Sequence, residues 1–266
     1  MGKLIAIRHG QSTWNAENRF TGWVDVDLSE KGLQEAEKSG KLLKELNIDF
    51  DMCFTSYLKR AIKTLEVVIE IIGKNYKYTK AWELNERHYG ALTGLNKEET
   101  KKKLGENKFN EYRRSWDIPP PKLDRNSDYN SEKDPLYKNL EKVPDTESLK
   151  NTYDRVIPYF EKNIEKHLKE NKNIILSAHG NTIRALGKKI FNISDKSINL
   201  FEIPTGNPLL IDFDSSLKVL SAKYLDQTRE KKIISNAIDV STEWAFRSKK
   251  EFNNCLLYTS PSPRDQ

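Results

Sequence analysis

Two short apolar runs in this chain each end in a His-Gly pair. One is Leu4-Ile5-Ala6-Ile7-Arg8-His9-Gly10, and the other is Ile174-Ile175-Leu176-Ser177-Ala178-His179-Gly180-Asn181. Such runs read as buried strands, and the carboxyl edge of a parallel sheet is where α/β proteins bind ligands. Two imidazoles on one edge, the first preceded by an arginine, point to phosphoryl chemistry with a histidine nucleophile. That nucleophile must keep one nitrogen unprotonated and be held in one tautomer, and its target must have its charge neutralised. Arg8 offers a planar fork for phosphate oxygens. Gly10 lets backbone approach an anion closely, and Ser12, Thr13 and Asn15 add hydroxyl and amide donors. An Arg-His-Gly string alone is weak evidence, because a core histidine beside a surface arginine produces it too. Its weight comes from related features elsewhere.

Arg60 follows a second apolar run, Asp51 to Ser56, and falls near the start of a helix, a place that attracts anions. A plain helix-surface arginine explains it equally well. Glu83-Leu84-Asn85-Glu86-Arg87-His88-Tyr89-Gly90 gathers a carboxylate, a cation, an imidazole and a phenol in one segment. Phosphohistidine chemistry needs a general acid for the leaving oxygen, and Glu86 is the candidate. His179 reads either as a second nucleophile or as a stabiliser of the transferring group, the second being the simpler division. His167, among Lys166, Lys169 and Glu170, reads as a surface residue, and no His, Cys and carboxylate spacing points to a metal.

The elements that must position these residues alternate. Strands are expected at 3–8, 51–56, 76–80, 173–178, 208–213 and 217–223, with helices at 30–46, 57–72, 146–170 (bent at Pro158) and 181–191. Ser29 reads as the first helix's cap, and Gly73 as the stop of the next. This order predicts a three-layer α/β fold: a mainly parallel central sheet flanked by helices. Residues 1–240 read as one domain, with a polar insertion at 96–145 of the kind that forms lids. Residues 241–266 read as a mobile tail, and the unpatterned 255–266 as non-native sequence.

Composition narrows the class. Of 266 residues 36% are hydrophobic and 32% charged, with a net charge of +6. The lysines alternate with acidic residues along helices, as solvated faces do, and lack the aromatic-basic stripe expected of a nucleic-acid binder. The longest apolar runs are about six residues, against the roughly 20 that span a bilayer, and no leader pattern opens the chain. Two cysteines make no disulfide framework, which fits a reducing cytoplasmic setting.

Five segments carry a resemblance: Arg8-His9-Gly10-Gln11-Ser12, Asn18-Arg19-Phe20-Thr21-Gly22-Trp23, Leu28-Ser29-Glu30-Lys31-Gly32, Leu84-Asn85-Glu86-Arg87-His88-Tyr89-Gly90 and Ala178-His179-Gly180-Asn181. Together they resemble the 2,3-bisphosphoglycerate-dependent phosphoglycerate mutases of the histidine phosphatase superfamily, over about residues 3–226. The resemblance implies the phosphoglycerate mutase-like fold and a metal-independent interconversion of 3- and 2-phosphoglycerate primed by 2,3-bisphosphoglycerate. His9 would be the phosphorylated nucleophile, with Arg8, Arg60 and His179 gripping the phosphoryl group and Glu86 moving the proton. Ser12, Asn15, Thr21, Gly22, Arg87, Tyr89, Lys97, Arg113, Arg114 and Asn181 would hold the carboxylate and second phosphate, with Gly180 contributing backbone. Gly10, Gln11, Thr13, Trp14 and His88 would complete the substrate contacts. The resemblance also implies a homodimer or homotetramer, while the short apolar runs and interleaved charges argue for no membrane and no nucleic acid. A bisphosphoglycerate mutase or phosphatase of the same superfamily would use the same His9, Glu86 and His179.

Overall fold

The computed structural model describes residues 1–230; the tail expected at 241–266 lies outside them. The first strand, β1 (Gly2–Arg8), alternates between two cores, as a strand buried on both faces must. Leu4 and Ala6 join one apolar cluster, while Ile5 and Ile7 join the other. Then follow α1 (Thr13–Ala16), α2 (Glu30–Glu45), β2 (Met52–Thr55), α3 (Lys59–Ile72) and β3 (Tyr78–Lys80). After these come α4 (Lys97–Leu104), α5 (Glu106–Arg114), α6 (Leu149–Phe160), α7 (Lys166–Lys169), β4 (Asn173–Ala178), α8 (Gly180–Ile190), β5 (Leu209–Phe213), β6 (Val219–Tyr224) and α9 (Gln227–Glu230).

The strands form one sheet in the order β3-β2-β4-β1-β5-β6. β3, β2, β4 and β1 pair in parallel, and β5 alone runs against its neighbours. Leu43, Leu65, Val68 and Ile69 of α2 and α3 cover one face; Val156, Phe160, Ile183 and Leu186 of α6 and α8 cover the other. The predicted three-layer, mainly parallel architecture is present.

One register decides the site. β1 and β4 are neighbours, paired from Lys3 with Asn173 through Arg8 with Ala178, so both strands end at the same level. His9 N then donates to the carbonyl of Ala178 at 3.0 Å, extending the ladder by one residue. His9 and His179 are thereby delivered side by side at the carboxyl edge.

Boundaries shift for identifiable reasons. Gly73 ends α3 in the left-handed conformation at φ 81°, as expected. The helix expected from residue 146 starts at Leu149, because Ser148 and Asn151 form a reciprocal capping box. Pro158 does not break it: the helix runs on through a π-helical turn at Glu161–Glu165 into α7. The helix expected from residue 181, α8, begins one residue early, with His179 as its N-cap.

The 96–145 insertion divides in two. Its helices α4 and α5 stand beside the sheet edge, and α5 carries Arg113 and Arg114 in its last turn. The remainder is packed down rather than free: Tyr137 is buried against Trp23 and Val143, and its hydroxyl accepts from Asn85 Nδ2 at 3.0 Å.

Candidate active site

His9 is 3% exposed at the end of β1. Its Nδ1–H donates to the Gly10 carbonyl at 2.6 Å, an oxygen that can only accept, so Nε2 carries the lone pair. Arg60 Nε donates to that Nε2 at 3.3 Å. Burial, then Arg60 and Arg8, hold the His9 pKa well below the usual imidazole range, so the ring is neutral at neutral pH. Gly10 has to be glycine: a Cβ there would lie 2.1 Å from the Gly32 carbonyl oxygen.

Arg60, on α3, is 1% exposed and belongs to the site rather than to the helix surface. Nη1 donates to the Val24 carbonyl at 2.9 Å and Nη2 to the Gly22 carbonyl at 2.8 Å. Gly22 takes φ 59° in this turn, a conformation that favours glycine. Burial lowers the Arg60 pKa to about 10, which leaves it cationic at neutral pH. Arg8 donates through Nη1 to the Ile203 carbonyl at 2.7 Å, while its buried Nε has no hydrogen-bond partner in the protein.

His179 is fully buried, its ring centroid 5.0 Å from that of His9. Its Nε2 lies 2.8 Å from Ser56 Oγ, which also accepts from the Leu58 N–H at 3.1 Å. The Ser56 hydroxyl keeps a second lone pair as well as its proton, so this contact forms with either His179 tautomer, and when Ser56 donates to Nε2 the ring proton sits on Nδ1. That Nδ1 is buried and has no partner in the protein. His9 thus offers a lone pair and Arg8 Nε a donor, while His179 leaves Nδ1 as its one unpartnered nitrogen. This division is complementary to a phosphoryl group in transfer.

Glu86, 8% exposed, accepts through Oε1 from the backbone N–H of Arg87 at 2.8 Å and of Asn181 at 3.2 Å. The latter contact places it at the amino end of α8. One side chain holds its segment: Arg155 of α6 donates to the carbonyls of Glu83 at 2.6 Å, Asn85 at 3.0 Å and Glu86 at 2.9 Å. It also pairs with Glu147 at 2.7 and 2.8 Å, and Glu147 in turn accepts from His88 N at 2.8 Å. Trp23 Nε1 adds a 2.7 Å bond to the Glu86 carbonyl. The buried Arg155–Glu147 pair is satisfied at every turn, the condition under which such pairs are tolerated.

These groups open into a cavity of about 320 Å³, within the range of small-molecule sites. Of the residues singled out in the sequence, Arg8, His9, Asn15, Thr21, Gly22, Arg60, Glu86, Tyr89, Lys97, Arg113, Arg114, Gly180 and Asn181 border it. Tyr89 Oη accepts from Asn181 Nδ2 at 3.0 Å, and Arg184 Nη1 donates to Asn181 Oδ1 at 2.8 Å, which orients that amide. Burial, with Arg113 and Arg8, lowers the Lys97 pKa to about 8.

The remaining singled-out residues are not on the cavity wall, and these include His179, which is fully buried with its ring 5.0 Å from that of His9. Ser12 caps α1 by accepting from Asn15 N at 3.2 Å. Thr13 lies within α1, where Trp14 stacks against the Arg19 guanidinium at 3.9 Å. Gln11 faces α2, its amide oxygen accepting from Ser29 Oγ at 3.0 Å. Arg87 is buried, donating to the Arg113 carbonyl at 3.1 Å and lying over the Tyr89 ring. Gly10, as above, packs on Gly32.

His88 is turned away from the site altogether. It is 2% exposed, packs beside Trp23, and accepts from Gly90 N through Nδ1 at 3.1 Å. Its role is in the fold. Burial lowers its pKa from 6.5 to about 4. The unfolded imidazole takes its proton near 6.5 and the folded one only near 4, so this contribution is full above 6.5 and lost as pH falls through that window. Urea unfolding should show about 2 kcal/mol of stability lost through this group between pH 7.5 and pH 5, absent in His88→Gln. Equal acid slopes in the two proteins would remove His88 from the account.

Arg19, Phe20, Arg184, Glu202, Ile203 and Pro204 also border the cavity without having been singled out as site residues. Arg184 had a readable signal, three residues after Asn181 and so on the same helix face. Ser56 and Arg155 carried none.

The model of the histidine phosphatase superfamily (branch 1) matches residues 4–224. Among relatives, the 2,3-bisphosphoglycerate-dependent phosphoglycerate mutase of Pelagibacter ubique (strain HTCC1062) is 52% identical over 236 residues, 88% of this chain and 99% of its own. The enzyme of the same name from Caulobacter sp. (strain K31) is 50% identical over 230 residues, 86% of this chain and 97% of its own. Among solved structures, a mycobacterial glucosyl-3-phosphoglycerate phosphatase complexed with VO3 superposes with a TM-score of 0.65 at 18% identity, over 84% of this chain and 97% of that one. Bacillus stearothermophilus YhfR superposes with a TM-score of 0.61 at 21% identity, over 80% and 92%. Both share the fold.

Proposed function

The chain belongs to the histidine phosphatase superfamily, branch 1, and from that membership we propose that it interconverts 3-phosphoglycerate and 2-phosphoglycerate through phospho-His9, primed by 2,3-bisphosphoglycerate. The observation that carries this reading is a cavity with two differently equipped ends. At its inner end are the His9 lone pair, Arg8 and Arg60, with His179 buried beside His9; at its outer end are Lys97, Arg113, Arg114, Tyr89 and Asn181. A monoanion needs one such end, whereas a phosphorylated carboxylic acid needs both. The names of relatives near 50% identity support the same substrate.

In the forward direction the C2 hydroxyl of 3-phosphoglycerate attacks phosphorus on His9 Nε2. The P–N bond breaks, a P–O bond forms, and Glu86 takes the hydroxyl proton. After the bisphosphate reorients, Nε2 attacks the C3 phosphoryl group, and Glu86 returns its proton to the departing C3 oxygen. His9 is again phosphorylated, 2-phosphoglycerate leaves, and no proton is gained or lost. Arg8, Arg60 and the Nδ1–H of His179 balance the equatorial oxygens in both steps.

No metal takes part in this reading. A cytoplasmic setting belongs to it as well, supported by the glycolytic role of such a reaction; no helix among the described residues is long and apolar enough to cross a membrane. So does self-association as a homodimer or homotetramer, on the family resemblance. A coupled assay tests the reaction: conversion of 3- to 2-phosphoglycerate should be strongly stimulated by 2,3-bisphosphoglycerate and indifferent to a chelator. Turnover that needs a divalent metal and ignores the bisphosphate would overturn it. Hydrolysis of the bisphosphate without interconversion would move the chain to the phosphatase alternative.

A further inference from the structure

Two carboxylates among the described residues border the cavity, Glu86 and Glu202. Glu86 has its part in the reaction; Glu202 has none so far. It lies on the connection between α8 and β5, where the backbone is pinned at successive residues. Arg184 Nε donates to the Phe201 carbonyl at 2.9 Å, Tyr224 Oη to that of Glu202 at 3.0 Å, and Arg8 Nη1 to that of Ile203 at 2.7 Å. The Glu202 carboxylate is thereby carried at the cavity mouth, 61% exposed and 3.6 Å from Arg114 Nη2 at the end of α5. The pair joins the insertion to the opposite wall.

Seven arginine and lysine side chains of the described residues border the same cavity. Such a wall holds the most highly charged ligand tightest. A bisphosphate intermediate, however, must loosen enough to reorient. A carboxylate at the mouth opposes that tightening in two ways: it occupies Arg114, and it repels an incoming anion directly. We propose that Glu202 competes with the ligand's outer anionic group for Arg114, making it a specificity-determining residue that weakens binding of a bisphosphorylated three-carbon acid more than that of a monophosphorylated one. The identity of the ligand rests on the proposed phosphoglycerate reading; the competition for Arg114 does not.

The test is equilibrium titration of 2,3-bisphosphoglycerate and of 3-phosphoglycerate into the full chain carrying His9→Ala, which blocks turnover, with and without Glu202→Gln. At low salt the Kd for the bisphosphate should fall roughly threefold, as suits an exposed ion pair. The monophosphate should gain less, and added salt should shrink both gains. Glu170→Gln removes an exposed carboxylate at the opposite edge of the sheet and should leave Kd unchanged, which separates a local effect from net charge. A misfolded variant loses affinity, so tighter binding cannot come from damage. An unchanged or raised Kd in Glu202→Gln, or an equal gain from Glu170→Gln, overturns the proposal. If the wild-type chain fails to interconvert phosphoglycerates while the threefold gain is seen, the proposed reaction falls and the role of Glu202 stands.

Discussion

Replacement of His9 by alanine should abolish acid-labile phosphate incorporation from 2,3-bisphosphoglycerate and lower phosphoglycerate interconversion by roughly 10⁴-fold or more. The strength of that expectation comes from how the two histidines are hydrogen-bonded. They end adjacent parallel strands at the same level, so position alone does not distinguish them. Their hydrogen bonds do. The His9 Nδ1 proton is committed to a carbonyl 2.6 Å away, which leaves Nε2 with its lone pair in contact with a cation. His179 is arranged differently: Ser56 occupies Nε2 at 2.8 Å, and only Nδ1 is left without a protein partner. With Ser56 donating to Nε2, Nδ1 carries the ring proton, and a donor in that place stabilises a phosphoryl oxygen and cannot attack phosphorus. The lowered pKa of His9 adds that no proton has to be removed before attack at neutral pH. Labelling with radioactive phosphate followed by acid and base treatment reads the result, because phosphohistidine is lost in acid and survives base. Label that persists in His9→Ala with these stabilities would make His179 the nucleophile and would require the Ser56 bond to break in the working enzyme.

This contrast also shows what was legible in the chain. The two strand-His-Gly endings are local patterns, written in consecutive residues, and they bring the sheet edge with them. What sets the two histidines apart was not local. Ser56 and His179 are 123 residues apart, and nothing in the run Thr55-Ser56-Tyr57 marks its hydroxyl for an imidazole. Arg155 reads as one more charge on an amphipathic helix, yet it binds carbonyls 69 to 72 residues away. His88 failed in the opposite direction. Its neighbours Glu86 and Tyr89 border the cavity, so proximity in sequence suggested a shared task, but the turn at 85–90 sends His88 into the core. Trp14 and Gln11 misled for the same reason beside His9. Sequence motifs locate a loop, whereas the direction of each side chain is set by what the loop packs against.

The second large effect concerns the proton. Glu86→Gln should lower kcat by about 10² to 10⁴, with KM changed far less. The glutamine oxygen can keep both bonds that Glu86 Oε1 accepts, from Arg87 N at 2.8 Å and Asn181 N at 3.2 Å, so the segment need not move. The Arg155 clamp holds the main chain through carbonyls and is untouched by the substitution. Only the capacity to take and return a proton is removed. Both halves of the reaction then suffer, since one needs a base for the attacking hydroxyl and the other an acid for the leaving oxygen. Phosphorylation of His9 by the bisphosphate, followed in a single turnover, should slow along with steady-state interconversion. That common slowing is what separates a proton carrier from a binding residue. Loss of an outer anion contact such as Arg113 would weaken affinity first, because that contact is made in ground state and transition state alike. A raised KM with kcat within about tenfold of wild type would place Glu86 among the binding groups. The proton would then have to travel by another route, and none of the other described side chains bordering the cavity, apart from Glu202 at its mouth, carries a carboxylate to provide one.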